Sequence, residues 1–399
     1  MLNYLYAGLR AKTLAVELRK AGLNAPAANI PILYVGGILG TKLYDRQERV
    51  NIWGDPGPLL RPNVRHASLA LDRNALRTFD EHADKHATAS PPSSLFVSAS
   101  RVRAIEHLHA FPIIPGLVET LVTEELALAL EHSLGYSRNR DLIFVGHDWR
   151  QDYRLLGQRL EEELARLDTR FGPGCPIVLV GQSVANPGIR WWLRTAPQHV
   201  RDRILRWYAF GPPWKGSFHS LHMMHAGYYP GTRRFKGFTP QDIMTYPSAW
   251  QLLPSTPQIM DATGAPLEFS FYDPECWRAY RLGPFHTSPA ERLPGEDADA
   301  LAAIAPYLRL AENFARQASA PDPAVDAIPQ VWFVGAGNRA VRRAVLLRNK
   351  LLFTAKDILR EAPHLADQAL AVGDEHLPLE HFAEAPCGPF VHDSDHVPY

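Results

Sequence analysis

Cysteine is scarce. Three occur in 399 residues, Cys175, Cys276 and Cys387, widely spaced and odd in number. That excludes the disulfide framework of small secreted domains. With no CxxC pair and no Cys/His zinc spacing, it also excludes a zinc ribbon or a thioredoxin-like redox motif. A reducing compartment is the simpler expectation, with room for at most one long-range bridge. Charge of one sign is missing too, since 42 basic residues face 42 acidic ones. No basic excess exists to displace counterions from a phosphate backbone, so nucleic acid is not an expected partner. Long apolar runs are absent. The opening stretch, MLNYLYAGLRAKTLAVELRKAGL, is broken by Arg10, Lys12, Glu17, Arg19 and Lys20. It therefore has no signal-peptide core, and no segment approaches the roughly 18 apolar residues of a membrane-spanning helix. A soluble, cytoplasmic protein is expected, with residues 1–29 as a helical segment and peripheral contact with a membrane surface left open. No internal repeat or low-complexity tract appears.

What is present is apolar bulk. Hydrophobic residues make up 46% of the chain, enough for a large core without metals or disulfides. Short unalternated apolar runs stand at residues 31–36 (PILYVG), 141–145 (DLIFV), 176–180 (PIVLV), 205–210 (LRWYAF), 330–334 (QVWFV) and 369–372 (ALAV). Such runs suit strands buried on both faces of a parallel sheet. Between them lie helical patterns. Residues 152–170 carry leucines at 155, 156, 160 and 164, close to a 3.6 period, and a helix is expected at 189–194. Strand–helix alternation points to an α/β fold. Two stretches break it: about 45–110, rich in Pro, Asp, Arg and His, and about 214–325, rich in aromatics, Pro and Gly. Both read as insertions above the sheet. The expected organisation is a core of residues 30–213 and 326–399, with an inserted segment at 45–110 and a cap at 214–325.

The sharpest local signal is the run from Pro176 through Gly181, Gln182, Ser183, Val184 and Ala185. An apolar strand enters a small-x-Ser-x-small turn and a helix follows. A serine hydroxyl is a weak nucleophile and must project from a tight turn toward a base. The residues two before and two after it must be small so that strand and helix can approach. Gly181 and Ala185 meet that demand, although the usual motif has glycine at the second position. The helix N-terminus beneath Ser183 favours developing negative charge. Read blandly, the same serine is a helix cap. A second glycine-rich turn, Gly36-Gly37-Ile38-Leu39-Gly40, ends the first strand. It lacks the GxxxxGK[ST] spacing of a phosphate loop.

These segments resemble the lecithin:cholesterol acyltransferase family. PILYVGGILGTKLYD is similar to the family's opening P-[VI]-x-V-P-G-[IL]-L-G-[ST]-x-L, with Gly36 where the family usually has proline. Trp53-Gly54-Asp55 resembles the tryptophan segment after the first strand, and FVGHDWRQDY the x-Y-D-W-R-x-D segment. IVLVGQSVANPGIRWWL stands where the family carries its serine motif. FGPPWKGS, YPSAWQLLPS and GDEHLPL resemble G-x-P-[FW]-x-G-S, P-S-x-x-x-L-[LM]-P and G-D-G-T-V-P. The order is the same, over about residues 30 to 399. The chain departs at Gln182 for histidine, at Ala185-Asn186 for Gly-Gly, and at Glu375-His376 for Gly-Thr.

The resemblance implies an α/β-hydrolase fold, with a mostly parallel central sheet flanked by helices and carrying cap or lid insertions. It implies O-acyltransferase or phospholipase-like lipid-ester hydrolase activity in lipid metabolism, through a Ser-Asp-His triad and an acyl-enzyme. Ser183 is then the nucleophile and Asp374 the acid, in the order such folds use. The backbone N–H groups of Ile38 and Val184 would form the oxyanion hole. The base must follow Asp374. His376 and His381 sit too close to it, and the choice falls on His392, after the short apolar Phe390-Val391, with His396 the alternative. Trp53 and Trp214 are candidate substrate contacts. Aromatics dense around the cap could line an acyl pocket, seat at a bilayer interface or simply pack the cap. No cofactor or metal is implied. A lipid or other ester is the expected partner. Two alternatives stay open: a small-molecule carboxylesterase, and a non-catalytic ligand-binding scaffold suggested by the altered turn GQSVAN.

Overall fold

The computed structural model describes residues 2–23, 30–47, 49–54, 70–71, 102–114, 118–121, 123–228, 238–255, 259–285, 296–348 and 350–393. Six apolar segments form one parallel sheet: β1 (Ile32–Val35), β2 (Leu142–Val145), β3 (Ile177–Gln182), β4 (Ile204–Phe210), β5 (Gln330–Gly335) and β8 (Phe390–His392). Their spatial order is β8-β5-β4-β3-β1-β2, and each adjacent pair is parallel. The fold is an α/β-hydrolase sheet with helices on both faces, as the sequence leads one to expect. Five of the six apolar runs enter it. The sixth, near residue 370, does not. It forms β7 (Leu370–Gly373), antiparallel to β6 (Asn338–Val341) in a separate two-stranded ribbon. The place at the sheet edge is taken by β8.

The unalternated apolar pattern follows from burial on both faces. Leu33, Leu179 and Trp207 share one register row, and Tyr34, Val180 and Tyr208 the next. The first row points to α3 (Leu156–Phe171) and α4 (Ala185–Thr195), whose Leu160, Leu164, Ile189 and Trp192 close that core. The second points to α2 (Glu124–Leu134), through Leu126, Ala127 and Leu130. Outside α2 lies α1 (Leu2–Lys20), which turns Ala7, Ala11 and Ala15 inward.

A second core stands above the sheet. It joins Trp53 and Trp149 to Phe218, Phe238, Tyr246, Trp250, Phe269, Phe271, Trp277 and Phe285. It also takes in residues from Val341 to Leu370, so the packed cap reaches beyond residues 214–325. These rings fill the cap, and two of the indoles are satisfied inside it: Trp277 Nε1 donates to Phe271 O at 2.7 Å and Trp250 Nε1 to Met244 O at 2.8 Å. Of the aromatics noted in the sequence, Tyr229 and Phe235 lie outside the described residues. The segment from 45 to 110 contributes a small antiparallel sheet of residues 41–45, 50–53 and 102–107. Among the described residues, no helix is long and apolar enough to cross a membrane.

Leu160 is fully buried between α3 and the sheet. Leu160→Ala is expected to lower unfolding free energy by about 3 kcal/mol, through lost transfer energy and the cavity left behind. Urea denaturation followed by tryptophan fluorescence checks this.

Candidate active site

The chain leaves β1 toward β2 on one side, returns, and leaves β3 toward β4 on the other. β1 and β3 therefore flank the switch point of the sheet, the place where open α/β sheets form their ligand sites. The loops there are the two glycine-rich turns. Ser183 follows β3 with φ 51°, a left-handed conformation that costs a non-glycine residue on the order of 1–3 kcal/mol. Its own N–H donates to Phe210 O at 2.7 Å, and its carbonyl accepts from Asn186 N at 3.1 Å. The serine is thus held at the corner between a buried strand and α4.

The first turn lies directly against it. A Cβ on Gly37 would stand 3.0 Å from Ser183 Cβ and 3.1 Å from Gln182 O, so a side chain there would press the two loops apart by a few tenths of an ångström. Ile38 and Val184, expected to supply the oxyanion donors, share one apolar cluster with Tyr153 and Leu252. Neither backbone N–H meets an acceptor among the described residues. Two motif residues clamp this loop. Trp53 Nε1 donates to Leu39 O at 2.8 Å, where Leu39 has φ 66°. Trp149 Nε1 donates to Thr41 O at 3.1 Å. Trp53 is buried in the cap core, so the structure gives it a bracing contact. Trp214 packs edge-on to Trp207 at 5.7 Å and tilted against Trp332 at 5.3 Å, on the face covered by α3 and α4.

The other family-like segments lock together around the same edge. Ser217 N donates to Leu252 O at 2.8 Å, Tyr153 N to Gln251 Oε1 at 3.0 Å, and Ser217 Oγ to His376 O at 2.9 Å. The residue before the serine, Gln182, accepts from Tyr34 Oη at 2.8 Å in a buried pair.

Asp374 is fully buried. β6 begins three residues after β5 ends, and Asn338 pairs with Gly373, so Asp374 stands just beyond the C-terminal end of β5. Its Oδ1 accepts from His376 N at 3.0 Å and Leu377 N at 2.7 Å. Leu377 seats this turn against Val334 of β5. The His376 ring stacks on His219 with centroids 3.8 Å apart. His392 is the last residue of β8, exposed and in register with Gly335. It lies three strands from β3, about 14 Å at the usual strand spacing. The structure does not bring its ring to Ser183. His396 lies outside the described residues.

Buried histidines surround the site. His107 packs against Gly36 and bonds Thr123 Oγ1 through Nε2 at 2.9 Å. Burial, followed by the neighbouring His109 and His147, holds its pKa well below the ordinary value. Burial lowers His147 to about 4, and burial together with Lys215 lowers His381 to about 4. Among the described residues no group of three or more His, Cys, Asp or Glu could hold a metal ion.

A parallel sheet with a glycine turn after β1, a left-handed serine after β3 and a buried aspartate beyond β5 has the form of an α/β-hydrolase fold. The model of the lecithin:cholesterol acyltransferase family matches residues 97–271, and the family resemblance read from the sequence is borne out. The lysosomal phospholipase A and acyltransferase of Bos taurus is 30% identical over 139 residues, 33% of this chain and 29% of that protein. The Homo sapiens protein of the same name is 30% identical over 100 residues, 23% of each. The match thus spans less than a third of these relatives' length. Among solved structures, the Tle4–Tli4 complex aligns over 94% of both chains at 13% identity with a TM-score of 0.49. The Bacillus licheniformis lipase BlEst2 aligns over 94% of this chain and 87% of its own, at 13% identity and a TM-score of 0.35. At these scores the fold assignment rests on the sheet itself.

Two outcomes follow from this geometry. Gly37→Ala is expected to cut the rate of fluorophosphonate labelling more than tenfold while circular dichroism stays native, because the added methyl separates the two loops. The depressed histidines also make stability acid-sensitive. The unfolded state takes up protons below its ordinary value of about 6.5, and the folded state resists until about pH 4. Stability is therefore full above pH 6.5 and is lost as pH falls toward 4. Urea midpoints should fall across that window, and His381→Leu should flatten the slope by up to about 1.4 kcal/mol per pH unit.

Proposed function

We propose that this chain is a serine-dependent acyl-transfer enzyme acting on lipid esters. The observation that carries the reading is the left-handed Ser183 in contact with Gly37 at the switch point of the sheet. That pairing supports a nucleophile next to the Ile38 and Val184 N–H groups, which meet no acceptor among the described residues. Ser183 Oγ attacks the ester carbonyl carbon and its proton passes to a histidine. The Ile38 and Val184 N–H groups hold the oxyanion that forms. When the carbonyl re-forms, the alkoxide leaves and takes the proton from the imidazolium, giving an acyl-enzyme. Water then releases a fatty acid, or an alcohol takes the acyl group. Asp374 orients the imidazole and stabilises its positive form.

For the base we favour His396 over His392. His392 ends β8, three strands from β3, and His396 is the alternative that the sequence offers. The lipid preference rests on the family match and the names of the relatives. The cap aromatics do not argue for it, since they are the cap's core. Three free cysteines suit the cytoplasmic, reducing location expected from the sequence.

Labelling by a fluorophosphonate probe should vanish in Ser183→Ala and His396→Ala and persist in His392→Ala. A panel of short and long acyl esters should favour the long ones, and added alcohol should divert label from free acid to a new ester. Preference for short esters would replace the lipid reading with a small-molecule carboxylesterase. Unlabelled, folded wild type would defeat the catalytic assignment.

A further inference from the structure

The residue three places after the serine is the least expected part of the turn. Asn186 stands where the family motif carries glycine, and its side chain is fully buried under the elbow. Its Nδ2 donates to Ser183 O at 3.0 Å, to Gly181 O at 3.1 Å and, more weakly, to Phe210 O at 3.4 Å. Its Oδ1 accepts from Trp207 Nε1 at 3.1 Å. The amide therefore ties together the strand before the nucleophile, the nucleophile's own carbonyl and the neighbouring strand. Phe210 O is a shared anchor, because it also receives the Ser183 N–H. Gly181 must be glycine for this to work, since a Cβ there would fall 2.2 Å from Asn186 Oδ1.

We propose that Asn186, oriented by Trp207, is a positioning residue that holds Ser183 in its left-handed conformation, replacing by hydrogen bonds what a glycine-rich turn achieves by conformational freedom. The proposal rests on Ser183 being the nucleophile. Both ends of the amide are used, so neither a donor-only nor an acceptor-only side chain can substitute. Asparagine is fixed in its rotamer by the Trp207 N–H, which decides that the NH2 end faces the three carbonyls. Aspartate would aim a carboxylate oxygen at those carbonyls, and glycine would leave them without a donor in a site closed to water.

The test uses the full chain as wild type, Asn186→Gly, Asn186→Asp and Trp207→Phe. Three readouts are taken: the second-order rate and final stoichiometry of fluorophosphonate labelling, kcat and KM on a long-chain ester, and hydrogen exchange of the peptide covering residues 181–188. Expected are a tenfold or greater fall in labelling rate and kcat for both Asn186 variants, with KM within twofold and final stoichiometry near one. Trp207→Phe should show a smaller fall in the same direction, and exchange of the elbow amides should quicken in all three. A purely structural role would lower the final stoichiometry and the thermal midpoint while the labelled fraction reacted at the wild-type rate. That result would overturn the proposal. So would an unchanged rate in Asn186→Gly. If folded wild type is not labelled at all, it is the Ser183 reading that fails. The exchange rates then decide alone whether Asn186 holds the turn, and unaltered exchange in Asn186→Gly refutes it.

Discussion

The contact between Gly37 and Ser183 is the constraint around which the rest is arranged. Two loops from adjacent parallel strands must approach to van der Waals distance. One must give up its side chain, and the other must accept a left-handed backbone to aim its hydroxyl. Neither state is locally favoured. Both persist because the surroundings over-determine them: the buried strands fix where the loops begin, and a set of side-chain-to-carbonyl hydrogen bonds fixes where they go.

Those hydrogen bonds give physical meaning to motifs that in sequence are only patterns. The tryptophans of the WG and DWR segments act through their indole N–H groups on the carbonyls of Leu39 and Thr41. The arginines beside them are spent on their own neighbours. Arg150, with no exposure, forks onto Asp148, and Arg154 onto Asp152. Paired in this way, the charges are buried without being orphaned, and the segment is stiff enough to carry the glycine loop on one side and the cap on the other.

Much of this was legible in the sequence, because the dominant forces there are local or periodic. Buried parallel strands need uninterrupted apolar runs, and five of the six runs read that way join the sheet. The run at 369–372 shows the limit. Four apolar residues look the same in a central strand and in a two-stranded ribbon, and only the pairing with residues 338–341 separates them. The tight turn at Ser183 was legible from size and spacing, while the roles expected of Ser183 and Asp374 stay proposals. Asn186 was visible only as a departure, because its worth lies in three carbonyls contributed by two strands and a turn. The place of His392 depends on how many strands separate it from β3, a quantity set by topology. Trp53 and Trp214 read as substrate contacts because exposed and buried indoles are indistinguishable before folding; one braces the loop and the other packs below the sheet.

The ribbon of β6 and β7 has a consequence of its own. Asp374 is not carried by the central sheet but by a strand whose preceding residues, from Val341 to Leu370, are part of the cap's core. The cap and the segment that leads to Asp374 therefore share one packed core. A fluctuation that loosens the cap also slackens the segment that delivers the carboxylate, while the sheet, its serine and its glycine loop stay folded. The position of the Asp374 carboxylate therefore answers to the packing of the roof as well as to the sheet beneath it.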